Sequence, residues 1–224
     1  MKSGLPLLLV ILFNWMSFSV SAQHDSITIG AVPYKWSWIN APKDFKIISN
    51  NAISVTADKL TDQYISIDGS YSSINAPKLL FKPDTDFIFS AKVKTGFDSL
   101  YEGGAIILYS DAGNFVKLLF EKDEEHSVKV TSSVVTNKIS DDDYHAVITG
   151  KEVYLKAAKA GKVFCFYYST DGKHWNIVRT FAYNKTKTMR LGFYAQSPLG
   201  PYCEVLFSDI SYKPFGFKDF SSGE

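Results

Sequence analysis

The chain has 224 residues, of which 46% are hydrophobic and 15% aromatic, and a formal net charge of +1. Its acidic and basic side chains are interspersed, which leaves no electrostatic footprint for nucleic acid or an anionic lipid surface. Its two cysteines are too few for a disulfide framework, so the fold must stand on a hydrophobic core.

Lys2, an apolar run from Leu5 to Met16 and the small residues Val20-Ser21-Ala22 follow the charged, apolar, small-residue order of a secretory signal peptide. Cleavage is expected after Ala22, with a secreted or periplasmic product. The run falls short of the about 20 residues a spanning helix needs, and no later segment is more apolar, so no membrane insertion is expected. Removing residues 1–22 leaves about 200 residues, which suits one β domain over 23–213. Residues 214–224 read as a loose C-terminal tail.

Helical periodicity is almost absent, and short alternating runs replace it. The segment from Pro33 to Phe45, with Trp36 and Trp38, reads as an irregular entry packed on a sheet. Strands are expected at Ile53–Ala57 and Tyr64–Ile67. Phe87, Phe89, Ala91 and Val93 then point one way, with Ile88, Ser90, Lys92 and Lys94 pointing the other. After Ala105–Tyr109, the turn Asp111-Ala112-Gly113-Asn114 leads to a strand in which Val116, Leu118 and Phe120 alternate with Phe115, Lys117, Leu119 and Glu121. An acidic turn, Asp123 to His126, precedes Ser127–Thr136, and Asp141-Asp142-Asp143 reads as a loop tip. Val153–Ala157 and Val163–Ser169 follow, with Asp171-Gly172 forming a tight hairpin to Trp175–Phe181. Met189–Ala195 and Cys203–Tyr212 complete the set. Many short strands at this spacing make a sandwich or a barrel. Cys165 and Cys203 each lie in an apolar strand, either paired with one another or packed as two buried thiols.

Few constellations carry chemistry. Glu121-Lys122-Asp123-Glu124-Glu125 spells the alternating acids of a jelly-roll glucanase strand. In such a strand, however, the intervening residues should be apolar, and Lys122 and Glu124 are charged, so a solvated hairpin tip is expected. His24, His126, His145 and His174 make no close pair, and no metal site is expected. Asp141-Asp142-Asp143 lacks calcium-loop spacing. Lys117 and Glu121 share a strand face but stand about 13 Å apart along it. They either line a groove or simply face solvent.

From about Tyr101 to Tyr212 the chain resembles the regulation-of-enolase-like family of the concanavalin-A-like lectin/glucanase superfamily. The segments that carry the resemblance are Tyr101-Glu-Gly-Gly-Ala-Ile-Ile-Leu108, Asn114-Phe-Val-Lys-Leu-Leu-Phe-Glu121, Val135-Thr-Asn-Lys-Ile-Ser-Asp141, Tyr168-Ser-Thr-Asp-Gly-Lys-His-Trp175 and Leu191-Gly-Phe-Tyr-Ala-Gln-Ser-Pro198. Phe115 stands where the family prefers tryptophan, Leu119 where it has glycine, and Tyr144 near its next tryptophan. The resemblance implies an all-β, concanavalin-A-like jelly-roll sandwich of two antiparallel sheets. Its matching polar positions here are Lys117, Glu121, Thr136, Asn137, Ser140 and Asp141.

The expected function is non-catalytic binding of an oligo- or polysaccharide through Lys117, Glu121, Asn137, Asp141, Tyr144 and Arg179, without cofactor. Phe115, Tyr109 and Trp175 are further aromatic candidates. Lys117, Glu121 and Asn137 are expected to converge on one open face. The alternatives are a glycoside hydrolase using Glu121 with Asp123 or Asp141, and a protein-interaction domain without a small ligand.

Overall fold

A computed structural model describes residues 26–224. In chain order its strands are β1 Ile27–Thr28, β2 Lys35–Ile39, β3 Asp44–Ser49, β4 Ala52–Asp58, β5 Tyr64–Ile65, β6 Ser72–Ser73, β7 Lys78–Phe81, β8 Phe87–Thr95 and β9 Gly103–Asp111. They continue as β10 Asn114–Lys122, β11 Val128–Thr136, β12 Ile139–Val147, β13 Glu152–Ala160, β14 Val163–Ser169, β15 Asn176–Phe181, β16 Arg190–Gln196 and β17 Tyr202–Lys213. Eight of them form one antiparallel sheet in the order β1-β2-β7-β16-β9-β10-β11-β12, and seven form a second in the order β15-β14-β13-β8-β17-β4-β3. The small β5-β6 ribbon stands apart from both. The two sheets stack as a jelly-roll sandwich.

Period-two alternation decides which side chains enter the sandwich. Phe87, Phe89, Ala91 and Val93 of the second sheet meet Val116, Leu118 and Phe120 of the first in one buried cluster. Across this core Phe193 of β16 stacks on Phe207 of β17, ring centroids 4.3 Å apart, and on its other side lies Trp36, at 5.7 Å. Gly104 of β9 allows the close approach, because a Cβ there would come within 2.3 Å of Val205 Cγ1.

Each sheet also has an outer face that is partly covered. On the first sheet, Ala105, Ile107, Phe115, Leu119, Val135 and Tyr194 form a second apolar cluster beneath Ile65 and Ala76. The segment around β5 and β6 is therefore a cover over β9, β10 and β16. On the second sheet, Ile88, Ala158, Cys165 and Tyr167 are covered by Trp175, Ile177 and Phe217.

Several expectations need correction. The segment from Pro33 to Phe45 is not an irregular entry: it holds all of β2 and the start of β3, and Trp36 and Trp38 both enter the inter-sheet core. Its prolines, Pro33 and Pro42, flank β2 and interrupt no ladder. Asp141, Asp142 and Asp143 lie within β12, an edge strand, where charge discourages pairing with another chain. The β14–β15 hairpin spans more than two residues: the carboxylate of Asp171 accepts the backbone N–H groups of Lys173 and His174, each at 2.8 Å, and Gly172 turns with φ 72°. The tail is not loose. Tyr167 Oη–H donates to Phe220 O at 2.9 Å and Lys156 Nζ to Ser222 O at 2.9 Å. Cys165 and Cys203 are both unpaired, because they belong to different clusters on opposite sides of the second sheet.

Candidate functional site

Strand register brings polar side chains together on the outer face of the first sheet. The β10–β11 ladder places Lys117 opposite Ser133 and Leu119 opposite Thr131. The β11–β12 ladder then places Ser133 opposite Asp142 and Thr131 opposite Tyr144. Residues opposite one another share a face, so Lys117, Ser133 and Asp142 make one row across three strands. A bulge beside Val130 and Thr131 skips His145 and re-aims Tyr144 onto this face.

Around these rows lies a pocket of about 450 Å³. Its floor is Lys117, Glu121, Thr131 and Ser133, with the backbone of Ser132 between the last two; the cover supplies Asp62, Tyr64 and Tyr71. Tyr101, Asp123, Glu124, Gln196, Pro198 and Leu199 close one end. The rim is apolar and open, with Tyr144 67% and Leu199 65% exposed.

The floor groups constrain one another. Thr131 Oγ1–H donates to Glu121 Oε1 at 2.9 Å. Burial away from water pushes the Glu121 carboxyl up to about 7, against the opposing pull of Lys117 and the Thr131 bond. Burial also raises Asp62, although Lys117, Tyr71 and the backbone N–H of Gln63 favour its charged form. Tyr71 Oη–H donates to Asp62 Oδ2 at 3.0 Å. The Lys117 ammonium donates to Gln63 O at 3.0 Å and lies 5.0 Å from the centre of the Tyr64 ring. Burial lifts the Tyr64 phenol to about 12. Asp123 is already engaged, by an ion pair with Lys129 and by Ser127 N–H at 2.9 Å.

Two buried polar atoms beside the site have no protein partner, Gln196 Oε1 and Tyr194 Oη; Ser132 Oγ, also unpartnered, points between the sheets, because Ser132 lies opposite Leu118 of the core. Gln196 is 2% exposed and lines the pocket. A buried polar group left unpaired is costly and calls for an explanation. Among the described residues no group of three His, Cys, Asp or Glu side chains is arranged to hold a metal ion.

Of the residues expected to bind, Lys117, Glu121 and Tyr144 line this pocket, and Asn137, Asp141 and Arg179 do not. Asn137 sits in the β11–β12 turn with φ 52°, its N–H donating to Asn114 Oδ1 at 3.1 Å. The expected convergence of Asn137 with Lys117 therefore does not occur. Asp141 alternates with Asp142, faces away, and pairs with Arg179 at 3.0 Å. Phe115 and Tyr109 are buried in the cluster beneath the cover, and Trp175 stacks under Lys156 on the other sheet at 3.9 Å. Nor is Glu121 to Glu125 merely a solvated tip, since Glu121, Asp123 and Glu124 all line the pocket.

Sequence reasoning missed Asp62, Tyr64, Tyr71, Tyr101, Thr131, Ser133, Asp142 and Gln196. One signal was present. In Ser127–Thr136 the positions alternating with the apolar core residues include Thr131 and Ser133, polar groups on a face that the neighbouring β10 fills with Lys117 and Glu121.

A family described as "Protein of unknown function (DUF1349)" matches residues 38–215. Regulation of enolase protein 1 of Saccharomyces cerevisiae is 24% identical over 178 residues, which cover 78% of this chain and 87% of that protein. Among solved structures, a functionally unknown protein from Saccharomyces cerevisiae aligns with TM-score 0.73 and 22% identity, over 80% of this chain and 96% of that one. The GH43 protein BlXynB from Bacillus licheniformis aligns with TM-score 0.66 and 15% identity, over 80% of this chain but 37% of that one. At these identities the structural likeness is one of fold. The expected secreted or periplasmic location does not stand: the yeast relative is named as a regulatory protein and its name carries nothing of secretion. Residues 1–22, on which that expectation rested, lie outside the described residues.

Proposed function

This chain belongs to the DUF1349 family of proteins of unknown function, and from that premise we propose that its pocket binds a carbohydrate without cleaving it. One observation carries the reading: a buried, unpartnered polar atom, Gln196 Oε1, lies at the floor of a pocket whose rim is exposed ring and aliphatic surface. Sugars match that layout. Their hydroxyls both donate and accept, and their CH faces stack on rings such as Tyr144. The fold's likeness to a GH43 protein is consistent with a sugar ligand and assigns none.

Glycoside hydrolysis by Glu121 with Asp123 or Asp141 is disfavoured. Asp123 is ion-paired to Lys129, and Asp141 is tied to Arg179 outside the pocket. What favours a catalytic reading is the Glu121 carboxyl itself, held at about 7 like a general acid. A glycan-array screen followed by calorimetric titration, with reducing-sugar release measured in parallel, tests both. Binding lost in Gln196→Leu with no sugar released supports the binding reading. Release that disappears in Glu121→Gln replaces it with the hydrolase. Absence of binding to any glycan ends both.

A further inference from the structure

We infer that the sugar held in this pocket is cationic, an oligosaccharide of amino sugars with free amines; this rests on the carbohydrate reading above. The first argument is charge. Five carboxyl groups line the pocket, on Asp62, Glu121, Asp123, Glu124 and Asp142, against one ammonium group, that of Lys117, while Asp143 alternates with Asp142 and faces away. Lys117 is 4% exposed and its ammonium is turned to the backbone oxygen of Gln63. Lys129 offsets Asp123 from one side. With Asp123 offset and Glu121 largely protonated below its raised value of about 7, Asp62, Glu124 and Asp142 still outnumber Lys117, so the remaining field is negative and low-dielectric walls concentrate it. A uronic acid would enter against that field.

The second argument is independent of the carboxyl count. Gln196 Nε2 donates to Tyr101 O at 2.8 Å, so the amide's orientation is fixed and Oε1 is the atom left free. That oxygen is a pure acceptor, buried in a residue that is 2% exposed. It needs a donor. A protonated amine brings three donors and no acceptor, whereas an N-acetyl group brings one donor and an extra acceptor. Charged donors also make the stronger hydrogen bonds. Tyr144 and Tyr71, at the rim and 67% and 46% exposed, offer ring faces that attract the same charge.

The test is calorimetric titration of the full chain with a glucosamine tetramer, its N-acetylated counterpart, a galacturonic acid tetramer and spermidine, at a pH where the amines are protonated. The free-amine tetramer should bind about tenfold or more tightly than the N-acetylated one, and the advantage should shrink with added salt. Glu124→Gln, an exposed site, should reduce the advantage without disturbing the fold, and Asp142→Asn should do the same from the opposite wall. Equal or tighter binding of the N-acetylated or uronic tetramer overturns the charge preference and leaves carbohydrate binding standing. Spermidine binding as tightly as the amino-sugar tetramer overturns the carbohydrate reading. If none of the four binds, both fall.

Discussion

Lys117 fastens the pocket floor to its cover: its ammonium donates to the backbone oxygen of Gln63 across 54 positions of sequence, at 3.0 Å. Gln63 is held at its other end as well, where Lys78 Nζ donates to Gln63 Oε1 at 2.7 Å. Lys78 further donates to Ile74 O and Ala76 O, at 3.0 and 2.7 Å. Two buried lysines of the first sheet thus hold the segment that carries Asp62, Tyr64 and Tyr71. Lys117 is therefore a positioning residue as well as a lining one, and its loss acts on the cover before it acts on any ligand.

Lys117→Met should lower stability by about 1.5–3 kcal/mol, the range for hydrogen bonds that involve a charged group. The methionine fills the stem's space and leaves Gln63 O unpaired. A urea midpoint unchanged from the parent protein would show that the cover is held without it. Hydrogen exchange adds a readout confined to the cover: amides of residues 62–76 should lose protection first.

The sandwich should depend on the ring contact between its sheets. Phe193 and Phe207 are 1% and 0% exposed and stack at 4.3 Å. Phe207→Ala removes one ring and leaves a void that β-sheets cannot close, so a loss of about 3–5 kcal/mol is expected in chemical denaturation. A loss under about 1 kcal/mol would mean that the core repacks around the void.

The strands that build this floor were legible in the sequence, and the cover was not. Val116, Leu118 and Phe120 alternate with Lys117 and Glu121, and period two alone puts the first set inside and the second outside. Nothing local to Asp62, Tyr64 or Tyr71 says which sheet face their segment will lie upon, because that depends on Ile65 and Ala76 finding the apolar cluster beneath. Asn137 and Asp141 were misplaced by register. The β11–β12 turn takes Asn137 and Lys138 into positive φ, at 52° and 65°, which ends the strand one residue before Asn137. A slip of one position exchanges the faces of every residue beyond the turn, and so Asp142, not Asp141, meets the pocket. The tryptophans of β2 were hidden by the prolines flanking them, which read as a break in structure and serve as its ends.

The folded chain should lose stability as Glu121 ionises. Its carboxyl is raised from an ordinary value of 4.5 to about 7, with burial as the largest cause. Lys117, Thr131, Asp62 and Asp123 also act on it. A folded value above the unfolded one means that the stabilising contribution is fully present below pH 4.5 and is lost as pH rises through about 7. Allowing for solvent at the pocket mouth, the loss is about 2 kcal/mol. Glu121→Gln keeps an acceptor for Thr131 and removes the titration. Denaturation curves at a series of pH values should therefore show a decline between about pH 5 and pH 8 in the parent that the variant lacks. Parallel pH profiles for the two proteins would place the raised carboxyl elsewhere.

Gln196 separates recognition from structure most sharply. It ends β16, and its amide does two things from one position: Nε2 donates to Tyr101 O at 2.8 Å, and Oε1 lies buried without a partner. Gln196→Leu removes both, and Gln196→Glu keeps an acceptor oxygen while removing the donor to Tyr101. If Oε1 meets a ligand donor, the leucine variant should bind the preferred glycan more weakly by about 0.5–1.5 kcal/mol, and by more where the donor is charged. The glutamate variant should retain binding of an amine-bearing sugar, because its carboxylate accepts from the same direction and adds charge. Both variants leave Tyr101 O without its bond, and glutamate also buries a carboxylate against that oxygen, so the glutamate variant should lose more stability than the leucine variant. Affinities are therefore compared under conditions where the thermal melts show both variants folded, and their ratio is the result. Calorimetric titration beside a thermal melt measures both quantities on the same samples. Equal affinities in the leucine and glutamate variants would show that Oε1 takes no part in binding, and that its burial belongs to the packing of β16 against Tyr101.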